Sequence, residues 1–161
     1  MIPEIHVKNN RINALILDMD GVLWRESEPI GDLHHVFSRV HELNLDYVLA
    51  TNNGTKTPQK YVEKLAGFGV HIPIEKIITS SMAVAHLLAK LHPEGGSVYI
   101  IGEHGLVSAL EKPGFYQGEH NFVAVVASMD RAINFEKLKR ATLLIRSGVP
   151  FYATNTDRTF P

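Results

Sequence analysis

The stretch Ala14-Leu15-Ile16-Leu17-Asp18-Met19-Asp20-Gly21-Val22-Leu23-Trp24 decides the fold. An apolar run ends abruptly in two carboxylates one residue apart, with a glycine directly behind them. Such a short continuous run predicts a buried strand with a central place in a parallel sheet. Side chains two apart on a strand share a face, so Asp18 and Asp20 are expected to emerge together at its carboxyl end. In open α/β sheets that edge is where ligands bind. Gly21 lets the backbone turn sharply without a Cβ penalty. Two close carboxylates disfavour joint ionisation unless a cation sits between them. The pair therefore suits Mg²⁺ together with acid/base or nucleophilic work. A solvated Asp-x-Asp-Gly turn is the alternative reading of these residues alone.

The pattern repeats further along the chain. Asp32 is expected to cap a helix over about residues 32–44, where Leu33, Val36, Phe37, Val40 and Leu43 follow helical spacing. His34, His35 and His41 fall on or near it, without a carboxylate at a metal-like interval, and read as solvated or packing histidines. A second strand over 45–50 ends in Thr51-Asn52-Asn53-Gly54, and Pro58 opens the next helix. Hydroxyls and amides at a strand end, close to a helix N-terminus, suit an anionic oxygen ligand as well as a capping loop. A short strand over 76–79 follows, then a helix to about residue 91 capped by Ser80 or Ser81. From Ser97 the alternation resumes, with strands over 97–102, 121–127 and 151–155 and helices over 104–112 and 135–147. Asp130, Arg131, Asn155 and Asp157 follow strand ends, where turn chemistry explains them at least as well as function. The fold class is α/β with parallel pairing.

Composition bounds the partners. The 161 residues are 45% apolar and 20% charged, with a formal net charge of −1, as in soluble globular proteins. The absence of a basic block argues against nucleic acid or an anionic membrane as the main partner. There is no cysteine, which removes disulfides and thiolate chemistry. Residues 1–6 lack the form of a signal peptide, and no apolar run reaches the roughly 20 residues of a membrane span. A cytoplasmic protein is expected.

With both polar strand ends in view, the sequence resembles the haloacid dehalogenase superfamily of phosphatases. It is most similar to the branch of para-nitrophenylphosphatases, phosphoglycolate phosphatases and ribonucleotide monophosphatases. Leu17-Asp18-Met19-Asp20-Gly21-Val22-Leu23-Trp24 resembles the first motif of that branch, and Ala50-Thr51-Asn52-Asn53 the second. The likeness continues through Thr79–Ala83, Val126–Arg131 and Ala153–Asp157. Gly54 departs from it, since a small hydroxylated residue or alanine is more usual there. The resemblance implies a Rossmann-like parallel-sheet core, only its N-terminal half within residues 1–80, and most of an α/β cap domain within 81–161.

The same resemblance implies a Mg²⁺-dependent phosphomonoester hydrolase that works through an aspartyl-phosphate. Asp18 takes the place of the nucleophile and Asp20 that of the general acid/base. Mg²⁺ would take a side-chain oxygen from Asp18 and the backbone carbonyl of Asp20. The Thr51 hydroxyl and the Asn52 backbone amide, with Asp20, would cradle the substrate phosphate. The family's phosphate-bridging lysine and later acidic motif have no counterpart in the sequence. Lys56, Lys60 and Lys64 lie too close to the second motif to serve. The chain alone is therefore expected to be an incomplete and inactive phosphatase, with a naturally short phosphate-binding or interaction protein as the alternative. Its partner would be a small phosphorylated metabolite, and the open edge and face of half a sheet favour a homo-oligomer.

Overall fold

A computed structural model describes residues 12–157, so the opening stretch read for a signal peptide lies outside the described residues. In chain order the elements are β1 (Ala14–Asp18), β2 (Trp24–Arg25), β3 (Glu28–Pro29), α1 (Leu33–Glu42), β4 (Asp46–Thr51) and α2 (Pro58–Gly67). There follow β5 (Ile77–Thr79), α3 (Ser80–Leu91), β6 (Gly96–Ile101), α4 (His104–Glu111), β7 (Phe115–Gln117), β8 (Ala124–Ala127), α5 (Phe135–Arg146) and β9 (Phe151–Ala153).

The helices begin where the chain offers a cap. Asp32 accepts a hydrogen bond from the His35 amide at 2.9 Å, and Asn134 accepts one from the Lys137 amide at 3.0 Å. Pro58 occupies the first turn of α2, where its missing N–H costs nothing. The start of α3 corrects the sequence reading. Thr79 is the cap, accepting from the Met82 amide at 3.3 Å. Ser80 and Ser81 lie inside the first turn, with their hydroxyls turned to the carbonyls of Asn52 and Gly54.

Two parallel sheets result. The first has the order β1-β4-β5, with Asp18 opposite Ala50 and Thr51 opposite Thr79. Helices α1 and α2 cover one face, where Leu33, Leu65 and Tyr61 pack with Leu49 and Ile77. The other face is open: Ile16 is 81% exposed and Ile78 is 41% exposed. Among the described residues the expected central strand is therefore an edge strand, half-buried at alternate positions only. A continuous apolar run reports what both faces tolerate, not whether a second layer covers them.

The second sheet, β7-β6-β8-β9, is parallel throughout and has helices on both faces. On one side α3 and α4 bring Val84, Leu88, Leu106 and Leu110 against Val98, Ala124 and Val126. On the other, Ala141 and Leu144 of α5 meet Tyr99, Ile101 and Val125. Strands β2, β3 and β7, two or three residues each, are too short to show a period in sequence. No helix among the described residues is long and apolar enough to cross a membrane.

The loop after β4 knits the two sheets together. A Cβ on Gly54 would lie 2.4 Å from the Ser81 hydroxyl oxygen and 3.0 Å from that of Ser128. The Gly105 amide donates to the Thr55 carbonyl at 3.0 Å. Gly54 thus departs from the family pattern where a serine-lined seam leaves no room for a side chain.

Candidate active site

The site is built on the carboxyl ends of β1 and β4. Beyond Asp18 the chain doubles back at once. The Met19 carbonyl accepts from the Val22 and Leu23 amides at 3.2 and 2.9 Å, and Gly21 takes a φ of +81°, a conformation that L side chains rarely adopt. Met19, Leu23 and Trp24 are buried beneath this turn and anchor it in the core under the first sheet.

The turn delivers Asp20 to Thr51. The Thr51 hydroxyl donates to Oδ2 of Asp20 at 3.4 Å, a long contact, and accepts from the Asn53 amide at 3.0 Å. Oδ1 of Asp20 accepts from Nε1 of Trp24 at 2.7 Å. Asp18, exposed at the strand end, lines an open cavity of about 520 Å³ with Thr51, Asn52, Thr79 and Ser80. Ile16 and Ile78 form its apolar side, so the cavity continues onto the open face of the sheet. Asn52 is held from two directions. Its side-chain amide donates to Oδ2 of Asp157 at 2.9 Å, and its carbonyl accepts from the Ser80 hydroxyl at 2.8 Å.

The structure places Asp18, Thr51 and Asn52 around one cavity at this strand edge. Asp20, expected to emerge beside Asp18 on the same strand face, instead lies in the turn beyond the end of β1, outside the lining of that cavity, and joins the site through Thr51. Three neighbours were not legible beforehand. Trp24 sat inside the first motif without a role. Ser80 read as a cap. Asp157 read as a turn residue, and its own amide does close a turn on Asn155 at 2.9 Å while its carboxylate reaches Asn52.

Two nearby lysines are engaged away from the cavity. Lys60 pairs with Glu63 at 2.8 Å. The Lys64 ammonium lies 4.3 Å from the centre of the Trp24 ring and donates to the Glu26 carbonyl at 2.6 Å. Partial burial, and then the charge of Lys56, lower the Lys64 pKa, against an opposing pull from Asp20. Burial pushes the Tyr61 phenol up, and the Asp20 charge pushes it further. Tyr61 donates to the Asn53 carbonyl at 3.3 Å, beneath the loop that follows β4. Among the described residues no lysine or arginine lines the cavity that holds Asp18.

The donor set suits a hard cation in kind, being oxygen throughout. It is small in number: among the described residues no group of three or more His, Cys, Asp or Glu is placed to hold a metal ion.

A profile of the haloacid dehalogenase-like hydrolases matches residues 15–116. An acid sugar phosphatase of Staphylococcus saprophyticus is 34% identical over 149 residues, which are 92% of this chain and 57% of that protein. The crystal structure of a 4-nitrophenylphosphatase from Thermotoga maritima superposes with a TM-score of 0.87 at 30% identity, over 93% of this chain and 57% of that one. A glycerol phosphate phosphatase from Mycobacterium tuberculosis, solved in complex with calcium, gives 0.82 at 26% identity, over 92% of this chain and 44% of that one. The chain thus spans about half the length of the relatives it matches. Its strand-end carboxylates, its parallel α/β architecture and the extent of the profile match agree, and the chain belongs to the haloacid dehalogenase-like hydrolases.

Proposed function

We propose that the site accepts the phosphoryl group of a small phosphomonoester on Asp18, with Asp20 as the acid/base and Mg²⁺ as the cation. The observation that carries this reading is the placement of Asp18 and Thr51 around one cavity at the carboxyl ends of two hydrogen-bonded parallel strands, with Asp20 joined to Thr51. A carboxylate oxygen of Asp18 attacks phosphorus, the bond to the leaving oxygen breaks, and that oxygen takes the electron pair and a proton from Asp20. Asp20 then removes a proton from a water that attacks the aspartyl-phosphate, which frees phosphate and restores Asp18. The Thr51 hydroxyl and the Asn52 amide orient the phosphoryl oxygens, and the Asp157 and Ser80 contacts hold Asn52 in place. Mg²⁺, held by the Asp18 side chain and the Asp20 carbonyl, would neutralise charge on the phosphoryl oxygens. The divalent cation in the M. tuberculosis relative supports that part of the reading.

Residues 1–80 are assigned to the core and 81–161 to the cap. The change of sheet at α3, whose apolar face packs into the second sheet, supports that division. Substrates of the sugar-phosphate or aryl-phosphate class follow from the activities named for the relatives. A cytoplasmic location fits such metabolites, and the open face of the first sheet supports self-association.

One observation favours a second reading, a phosphate-binding protein without turnover. Among the described residues, no cationic side chain lines the cavity and the metal donors are few. Loss of a single well-placed electrostatic group commonly costs about 10²–10³ in rate. The 161-residue chain by itself is therefore proposed to hydrolyse para-nitrophenyl phosphate no faster than its Asp18→Asn variant. Beryllium fluoride with Mg²⁺ tests the site independently of turnover, because it builds a phosphoryl analogue on a carboxylate oxygen. A bound ¹⁹F resonance is expected with Mg²⁺ and should vanish in Asp18→Asn. The same resonance in both proteins would remove Asp18 as the acceptor.

A further inference from the structure

We propose that Trp24 is a positioning residue: its indole N–H fixes Oδ1 of Asp20, so that Oδ2 is the oxygen that handles the proton. This inference rests on the reading of Asp20 as the acid/base. Its physical basis is a donor that cannot move. Trp24 is 1% exposed, with its ring stacked on Tyr61 at 6.2 Å and tilted against Phe68 at 6.1 Å. The Lys64 ammonium lies against the same ring. Rotating the indole would disturb all three neighbours and the core around them.

The indole nitrogen is a donor only. Oδ1 must therefore offer it a lone pair, whether Asp20 is ionised or protonated. Oδ2 is left as the oxygen that can exchange a proton, because its partner, the Thr51 hydroxyl, can turn from donor to acceptor and the indole N–H cannot. Without the indole, the terminal torsion of an aspartate is broad and roughly two-fold, so the two oxygens would exchange roles. Holding one of them in place removes that freedom before substrate arrives. A ring present only for packing would require no such hydrogen bond. The 2.7 Å distance is that of a well-formed N–H···O hydrogen bond.

The chain contains one tryptophan, so its indole N–H gives a single ¹H–¹⁵N cross-peak. The experiment uses the whole chain, with Mg²⁺ and beryllium fluoride as the probe. In the wild type the indole cross-peak should shift along the same binding curve as the bound ¹⁹F signal. In Asp20→Ala, which removes the connecting carboxylate, it should stop responding. Trp24→Phe keeps the aromatic packing and should weaken apparent probe binding about tenfold, measured well below its unfolding midpoint. An indole signal that stays fixed while bound ¹⁹F appears would overturn the inference and leave the acceptor reading intact. So would an unchanged response in Asp20→Ala, or wild-type affinity in Trp24→Phe. No bound ¹⁹F in the wild type, or an equal signal in Asp18→Asn, would instead defeat the acceptor reading, and the role of Trp24 with it.

Discussion

Strands β1 and β6 look alike in sequence and live in different surroundings. Leu15-Ile16-Leu17 and Val98-Tyr99-Ile100-Ile101 are both short apolar runs that enter parallel sheets. β6 lies between two strands with helices on both faces, and most of its residues are buried. Among the described residues β1 is an edge strand with helices on one face, and no residue in it is fully buried. The second sheet is where this molecule keeps its closed packing. The first sheet is where it keeps its carboxylates, next to a face that water can reach. The candidate chemistry is thus set beside the more open of the two sheets, above a core of its own.

The largest contrast to test is energetic. Leu110→Ala opens a cavity between α4 and the second sheet, at a side chain with no exposed surface, and should cost about 2–5 kcal/mol in urea unfolding. Ile16→Thr, on the open face, should stay within about 0.5 kcal/mol. Equal losses at the two positions would mean that the face carrying Ile16 is covered in solution. A polar Ile16→Gln, Ile78→Gln double variant sharpens the same point. It should reduce hydrophobic-dye binding and shift sedimentation toward the monomer, with little change in unfolding midpoint.

A smaller effect concerns the layer beneath the site. The Tyr61 pKa is raised in the folded protein, so the native state keeps a proton that the unfolded chain releases near its ordinary value of 10.0. Stability should accordingly fall as pH rises above 10 and approaches the folded value. In Tyr61→Phe that part of the alkaline loss should disappear, which thermal melts at rising pH would register. The smallest effect is expected at the start of β4. The Lys76 ammonium hydrogen-bonds Asp46 and holds its carboxyl below the usual range, with help from the Tyr47 amide. That contribution is present above the unfolded pKa and lost as pH falls through the folded one. Asp46→Asn should leave the midpoint at neutral pH nearly unchanged and make the acid side of the melting profile slightly flatter.

Much of the fold was legible because its elements carry local signals. Asp32 and Pro58 open their helices, and Asp18 and Thr51 close their strands, through chemistry confined to a few residues. What was not legible depends on partners far away in the chain. The edge position of β1 cannot be read from Ala14–Leu17, because the same run would serve a central strand. The cap of α3 moved to Thr79 once Ser80 and Ser81 found carbonyls at Asn52 and Gly54, 28 and 27 residues away. Asp157 reaches Asn52 across 105 residues, a contact that no local pattern announces. The bond from Trp24 to Asp20 spans only four residues, yet it forms because Gly21 folds the motif back on itself, and the spacing alone gives no sign of it.

A crystal structure of the protein with Mg²⁺ and beryllium fluoride would test the central claim most directly. Beryllium should be bonded to a carboxylate oxygen of Asp18, with its fluorines within hydrogen-bonding distance of the Thr51 hydroxyl and the Asn52 amide. Oδ2 of Asp20 should face the fluoride while Oδ1 stays on the Trp24 indole. Beryllium on Asp20, or a site away from the ends of β1 and β4, would contradict the account.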